Sequence, residues 1–512
     1  MAADNSRPGD FDQAEQPYDL CIVGAGIAGL NALFVATQYL PKTARVALID
    51  RHATSGGMWN TAYPYVRLHQ PHPMFTVGNM KWQWNKPKDY LATRDEVLVH
   101  LEYCLAQLRQ RVRLTELYGH SVVEVEEVLG EKEFNVKLTA TQLDEPNGLI
   151  HITSKKLIEA SGFDVPQPSA LSISSQQVHS VAPQDLDMTD SKAPVYVVGG
   201  GKTGMDTVLE VLRRSPECEV SLINGRGTVY VKREIFAPKG LKNWRQGVLL
   251  SRCLEDLALR YNGKNAEETF EYFRQTYSVE PTPNGDHNLF GFMSEEESNE
   301  IAAGLTSTHP EYLVDVRDTD DGPQMVFKSG KTLSIAPGST VVNCTGHLYR
   351  ESKPMQPYLS AYGNVLRVNT RSAIHFLTTV SAYFLTHMFY LGRLPSAELY
   401  ALDSEALFHK NRKDWHLASL SLGFINLITV IDTLPFKALD QCGQDLDRWF
   451  PLHRRVAALL NIKMNKAKYF AHCQASLDTV RERHQIACGP LTVPPESSDG
   501  KLDRAGLQSG AA

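Results

Sequence analysis

Two short glycine runs carry most of the chemistry this sequence can offer. The first follows the stretch Tyr18-Asp-Leu-Cys-Ile-Val and reads Gly24-Ala-Gly26-Ile-Ala-Gly29. The second follows Pro194-Val-Tyr-Val-Val and reads Gly199-Gly-Gly201-Lys202-Thr203-Gly204. In each, the first glycine permits a turn too tight for a side chain, the second lets backbone approach a pyrophosphate, and the last lets a helix pack closely on the strand. The helix N-terminus then offers amides and the positive end of its dipole to the anion. Lys202 and Thr203 stand where they could reach phosphate or ribose. One such loop suggests a dehydrogenase; two suggest a flavin facing a nicotinamide.

The residues that end the following strands separate the two nucleotides. After the first loop the pattern predicts a helix over 30–40 and then a strand, Arg45-Val-Ala-Leu-Ile-Asp50, closed by an acid about twenty residues on. Asp50 there accepts from a free ribose hydroxyl and repels a 2'-phosphate, which suits FAD. The strand after the second loop, Glu219-Val-Ser-Leu-Ile-Asn-Gly-Arg226, ends without an acid. Arg226 follows instead, and a guanidinium can pair with a 2'-phosphate in a forked geometry, which favours NADPH over NADH. Read without those loops, Asp50 is a surface acid and Arg226 a solvated basic turn.

Between the two loops, Gly56-Gly57-Met-Trp59-Asn-Thr-Ala-Tyr63-Pro64-Tyr-Val-Arg67-Leu-His69 follows the ribose acid closely. This stretch resembles the flavin-contacting segment of the flavin-containing monooxygenases and their Baeyer-Villiger relatives. The resemblance extends to Thr93-Arg-Asp-Glu96-Val, where Thr93 would cap a helix and Glu96 would stand at its third position. It includes two Ala-Thr-Gly-like linkers, Ala160-Ser161-Gly162 and Cys344-Thr345-Gly346-His347, and covers roughly residues 17–235 and 330–395. The family's Phe-x-Gly-x-x-x-His signature is altered: Ile173 and Ser175 replace Phe and Gly, and only His179 is kept.

The resemblance implies that Gly57, Trp59, Tyr63 and the linker glycines Gly162 and Gly346 bind the cofactors together with the two loops, Trp59 and Tyr63 shaping the flavin pocket. It implies hydride transfer from NADPH to the flavin, a C4a-(hydro)peroxide formed with dioxygen, and oxygenation of a small organic substrate. Arg67 and His69 become the candidate catalytic groups near the reacting flavin edge. Each is otherwise structural, as a salt-bridged strand arginine and a loop histidine. Two alternatives stay open: a monooxygenase-like halogenase, and an FAD- and NADPH-binding redox sensor without oxygenase activity.

Several classes are excluded by what the chain lacks. Its eight cysteines are scattered with no Cys-x-x-Cys pair, so a disulfide reductase would have no dithiol with which to pass electrons on. Dispersed thiols suit a reducing cytoplasm. No metal-ligand spacing occurs, and no basic block points to nucleic acid; the net charge is −6. The apolar run 416–431 is short for a membrane span and reads as a core or interfacial helix, while 372–392 reads as a buried strand (374–380) followed by a helix. Oligomeric state is left open.

These motifs require an α/β fold: an FAD-binding Rossmann-like domain interrupted by a smaller NADP domain, with helical additions. The expected boundaries are 17–190 and 331–395 for the FAD domain, 191–330 for the NADPH domain, and 396–490 for a helical C-terminal extension. An insertion over 239–304 reads as helical over 247–277 and 294–303, broken by the turn-rich Pro281-Thr-Pro-Asn-Gly-Asp, with Trp244, Phe290, Phe292, Trp415 and Trp449 as anchors in the two additions. Tails 1–16 and 491–512 are expected to be disordered.

Overall fold

The structure is a computed structural model that describes residues 16–130, 134–143, 148–162, 168–187, 193–240, 245–283, 285–346, 356–368 and 378–490. The two tails apart from Gln16, together with Trp244, His347 and residues 374–377 of the expected strand, lie outside the described residues.

The chain builds one architecture twice. In the first lobe β1 (Leu20–Val23) leads into α1 (Ile27–Ala36) and β2 (Arg45–Asp50). Helix α2 (Arg94–Arg109) and strand β3 (Arg113–Tyr118) follow. Next come an antiparallel meander, β4 (His120–Leu129), β5 (Phe134–Gln142) and β6 (Leu149–Ser154), and a short β7 (Leu157–Glu159). The sheet is parallel in the order β19-β7-β1-β2-β3, with β19 (Val365–Arg367) returning late in the chain. The second lobe opens on an edge strand, β8 (His179–Val181), and repeats the series. It runs β9 (Val195–Val198), α3 (Lys202–Arg214), β10 (Val220–Ile223), β14 (Ser307–His309), a meander β15 to β17 within 313–334, and β18 (Thr340–Asn343). Its sheet order, β8-β18-β9-β10-β14, is that of the first lobe strand for strand.

Both sheets are buried because both are parallel and covered by helices, so β1, β2, β9 and β10 read as apolar runs instead of alternating patterns. Helix α2 starts where its sequence says it should: Thr93 accepts from the Glu96 amide and the Glu96 carboxylate accepts from the Thr93 amide.

The insertion departs from its helical reading. The expected helix over 247–277 is two helices, α4 (Leu250–Arg260) and α5 (Ala266–Tyr277), parted by a turn in which Asn262 accepts from the Lys264 and Asn265 amides. Phe290 and Phe292 lie on a strand, β13 (Asn288–Met293), which joins β11 (Val229–Lys232) and β12 (Ser278–Val279) in a third sheet. Helix α6 (Glu295–Gly304) closes the insertion. Helix α7 (Thr378–Tyr390) replaces the last part of the strand expected over 374–380, and it packs along α1 with Phe34 stacked on Tyr383.

The extension is helical: α8 (Ser404–Lys410), α9 (Arg412–Thr433) and α10 (Leu452–His484). Helix α9 has the length and apolarity of a membrane span, but 78% of its apolar window is buried inside the protein against α4, α5 and α10.

Candidate functional site: two dinucleotide cradles and the seam between them

Each glycine loop is closed by the linker that crosses it. Gly24 and Gly199 have φ of +106° and +123°, conformations that side chains resist. A Cβ on Gly24 would come 2.5 Å from the Ala160 carbonyl oxygen, and one on Gly199 would come 2.6 Å from that of Cys344. The two Ala-Thr-Gly-like linkers therefore lie across their respective cradles, with Gly162 and Gly346 just beyond the crossing points and nothing within 4 Å of where their side chains would begin. Gly29 and Gly204 are fixed by helix packing, because a Cβ on either would strike the carbonyl of the first loop glycine at 1.7 and 2.0 Å.

The middle glycines differ. Gly26 and Gly201 both have ordinary extended backbone and cap their helices without a side-chain hydrogen bond, which leaves the first amides of α1 and α3 available to an anion. A Cβ on Gly26 would lie 3.3 Å from Gly57 Cα, but one on Gly201 would meet no protein atom within 4 Å. Nothing in the fold itself demands glycine at 201. A pyrophosphate lying against the backbone does, and the cradle fits that group.

Asp50 is buried at the end of β2, where one carboxylate oxygen accepts from the Ala25 amide at 2.6 Å and the other accepts from the His52 amide at 2.8 Å. The carboxylate thus lies against the loop, and the oxygen that takes the His52 amide also meets the His52 Nδ1 at 2.9 Å. The Gly-Gly-x-Trp segment folds onto the same loop through Gly56, whose amide donates to Ala25, and Trp59 packs edge-on against Phe75 at 5.6 Å.

Residues 63–69 belong to the first lobe yet are fastened to the second. Tyr63 donates to Asp206 at 2.7 Å, Tyr65 meets Thr207 at 2.8 Å, and Arg233 donates from Nε to the His69 carbonyl at 2.6 Å while pairing with Glu297. Lys202 is ion-paired with Asp206, one turn along α3. Thr203 approaches the Tyr63 hydroxyl, and burial together with the Asp206 carboxylate keeps that hydroxyl protonated. Of the residues expected at the nucleotides, Tyr63, Lys202 and Thr203 therefore meet one another at the seam.

The two candidate catalytic groups are not brought together. Arg67 is exposed and donates to the Leu91 carbonyl at 3.2 Å. His69 faces the seam, where burial and the Lys202 and Arg233 cations push its imidazole down to about 3, so it is neutral at any ordinary pH. His179 is exposed on β8. Arg226 follows β10 as expected and pairs through Nε with Asp286 at 2.7 Å.

Asp206, Thr207 and Arg233 escaped the sequence reading. The only signal was the Lys202/Asp206 spacing of four on a helix. Replacing Tyr63 by Phe removes the hydroxyl that ties the lobes while leaving Asp206 paired with Lys202. A loss of about 1 to 2 kcal/mol is expected in denaturant titration, and a change within 0.3 kcal/mol would deny the contact a structural role.

Residues 18–239 match the pyridine nucleotide-disulphide oxidoreductase family. The chain carries a FAD/NAD(P)-binding oxidoreductase fold, with two Rossmann-like lobes and helical additions. Over 207 residues it is 32% identical to an uncharacterized protein of Mycobacterium tuberculosis H37Rv, a stretch that is 38% of this chain and 36% of that one. It is 22% identical over 214 residues to the FAD-containing monooxygenase EthA of Mycolicibacterium smegmatis, covering 39% and 42%. The match thus spans well under half the length of these curated relatives. Among solved structures, the ornithine hydroxylase PvdA of Pseudomonas aeruginosa aligns over 74% of this chain and 99% of its own, with a TM-score of 0.46 and 12% identity. A flavin-containing monooxygenase from Stenotrophomonas maltophilia aligns over the same shares at 0.44 and 15%.

Proposed function

We propose that the protein is an NADPH-dependent FAD monooxygenase acting on a small organic molecule. The observation that carries this reading is the pairing of two cradles of one design with a seam that fastens the flavin-contacting segment to the second cradle's helix. FAD is assigned to the first cradle by Gly24, Gly26, Gly29 and Asp50, and NADPH to the second by Gly199, Gly201, Gly204 and Arg226. Bound there, the two would supply hydride transfer and the activation of dioxygen. The chain's own part is to bind and orient. The loop amides hold the pyrophosphates, Asp50 stands at the ribose, and the Tyr63–Asp206 and Arg233–His69 contacts fix the lobes in register. His69 offers a neutral imidazole, a hydrogen-bonding group that does not shuttle charge near neutral pH.

Dithiol chemistry finds no support. All eight cysteines are buried and unpaired, and burial pushes the thiols of Cys344, Cys442, Cys473 and Cys488 up to about 12. The EthA relative, named as a monooxygenase, agrees with oxygenation. An apolar cavity of about 110 Å³ lies between α4, α7 and α9, lined by Leu254, Phe384 and Val430. The Ser381 hydroxyl also lines it and lacks a partner among the described residues.

The test is NADPH consumption by the FAD-loaded protein, screened against sulfides, amines, ketones and indoles and scored for coupled product. Product that requires added chloride or bromide would reassign the protein as a halogenase. Flavin that reoxidises at once to free peroxide with every substrate would leave the sensor.

A further inference from the structure

The C-terminal extension reaches the second cradle where its strand β10 ends. Arg226, two residues beyond Asn224 at that end, donates from Nε to one oxygen of Asp286; the other oxygen takes His287 Nδ1 at 2.8 Å. His287 Nε2 in turn lies 3.0 Å from Nη1 of Arg412, the first residue of α9. A guanidinium only donates, so Nε2 must accept and the imidazole proton must sit on Nδ1, facing Asp286. Burial at 5% exposure favours that neutral form and pushes the His287 imidazole below its ordinary value. One carboxylate thereby aligns two arginines from distant parts of the chain.

Between them opens a polar cavity of about 260 Å³ lined by Arg226, Arg412, Lys410 and Lys413. Its carboxylate is Glu267, already paired with Lys413, and Lys410 is spent on the carbonyls that end α10. Arg412 has no carboxylate within ion-pair distance among the described residues. It lies over the Phe408 ring at 4.8 Å, half-buried, and feels the Arg226 cation. Asp286 lies near both guanidiniums but reaches Arg412 only through His287, so the two arginines still present net positive charge to the cavity. A phosphate dianion takes both in forked hydrogen bonds. The carboxyl end of β10 is where this fold places the adenosine ribose.

We propose that Arg412, supplied by the extension, completes with Arg226 the site for the 2'-phosphate of NADPH, and that His287 is its positioning residue. This rests on the NADPH reading above.

The test uses the full-length FAD-loaded protein and compares its kcat/KM for NADPH and NADH with those of Arg226→Gln and Arg412→Gln. Each variant is expected to keep its visible flavin band and to lower the NADPH-to-NADH ratio roughly 10- to 100-fold. In the parent protein 2'-AMP should compete with NADPH while 5'-AMP, and inorganic phosphate at matched ionic strength, should not. A fall in Arg226→Gln with no change in Arg412→Gln overturns the role of the extension and leaves the NADPH reading standing. No change in either variant overturns both. Competition by inorganic phosphate as strong as that by 2'-AMP would make this a free-anion site and overturn the proposal. Should Arg412→Gln lose its flavin, Arg412→Lys, which keeps the charge without the fork, must still lower the ratio, and an unchanged ratio in it counts against the proposal.

Discussion

Replacing Gly201 by valine leaves the protein yellow and stable but stops its reduction by NADPH. The open space beside Gly201 makes this substitution unusually clean. No protein atom stands within 4 Å of the new Cβ and the backbone there is extended, so the unliganded fold loses little beyond the preference of a helix cap for glycine over valine, about 1 kcal/mol. The pyrophosphate, by contrast, must lie against that backbone to reach the first amides of α3. The added isopropyl group holds it off, and the lost charge-assisted contacts come to roughly 3 kcal/mol or more, above 100-fold in affinity. Stopped-flow reduction of the flavin band measures it, and a variant that NADPH reduces at the parent rate would show that no pyrophosphate lies there. Gly26→Val is harsher, because Gly57 already stands 3.3 Å from the added carbon, and it should yield a colourless protein.

Acid should unfold the protein well before its carboxylates titrate. His100, His387 and His416 are each 3% exposed or less, and burial pushes them down to about 3, 4 and 3. His416 Nδ1 and His387 Nε2 have no partner among the described residues, which suits a neutral ring in an apolar setting. A depressed histidine binds its proton more readily in the unfolded chain. Stability is therefore whole above the unfolded value of 6.5 and is lost as pH falls from there toward the folded value. At pH 5 each ring contributes a loss of about 2 kcal/mol, so the three together weigh as much as the whole stability of a modest domain. Asp445 and Asp447, whose carboxyls burial pushes up, act the other way. The midpoint of urea unfolding should thus drop steeply between pH 7 and pH 5. A midpoint constant across that range would mean that these rings are charged, or open to water, in the native state.

The cradles were legible because their information is local. A strand, a glycine turn and a helix start lie within a dozen residues, Asp50 ends the next strand of the first lobe, and Arg226 follows the next strand of the second. The Thr93/Glu96 box is likewise a four-residue pattern. What escaped was long-range. Tyr63 and Asp206 are far apart in sequence and meet only because the lobes dock, and Arg412 reaches Arg226 only through Asp286 and His287. The strand carrying Phe290 and Phe292 was hidden for another reason. Its partner β11 is short, and the five residues Leu289–Met293, with no long alternation, look the same on a strand as on a helix edge. The break at Asn262–Asn265 contains an Asn-Gly turn, a four-residue signal that the apolar periodicity on either side masks.

The late return of β19 bears on how the polypeptide is assembled as it leaves the ribosome. The second lobe occupies one unbroken run, from His179 to Asn343, and every strand of its sheet has emerged once Asn343 has. The first lobe starts earlier but ends later, since its edge strand and the helix laid along α1 come from residues 365–390. We expect nascent chains halted after Asn343 has left the exit tunnel, but before Val365 has, to show a protease-resistant second lobe beside a first lobe still open to cleavage. The unit synthesised first is then the last to be sealed, and the chain's own tail does the sealing.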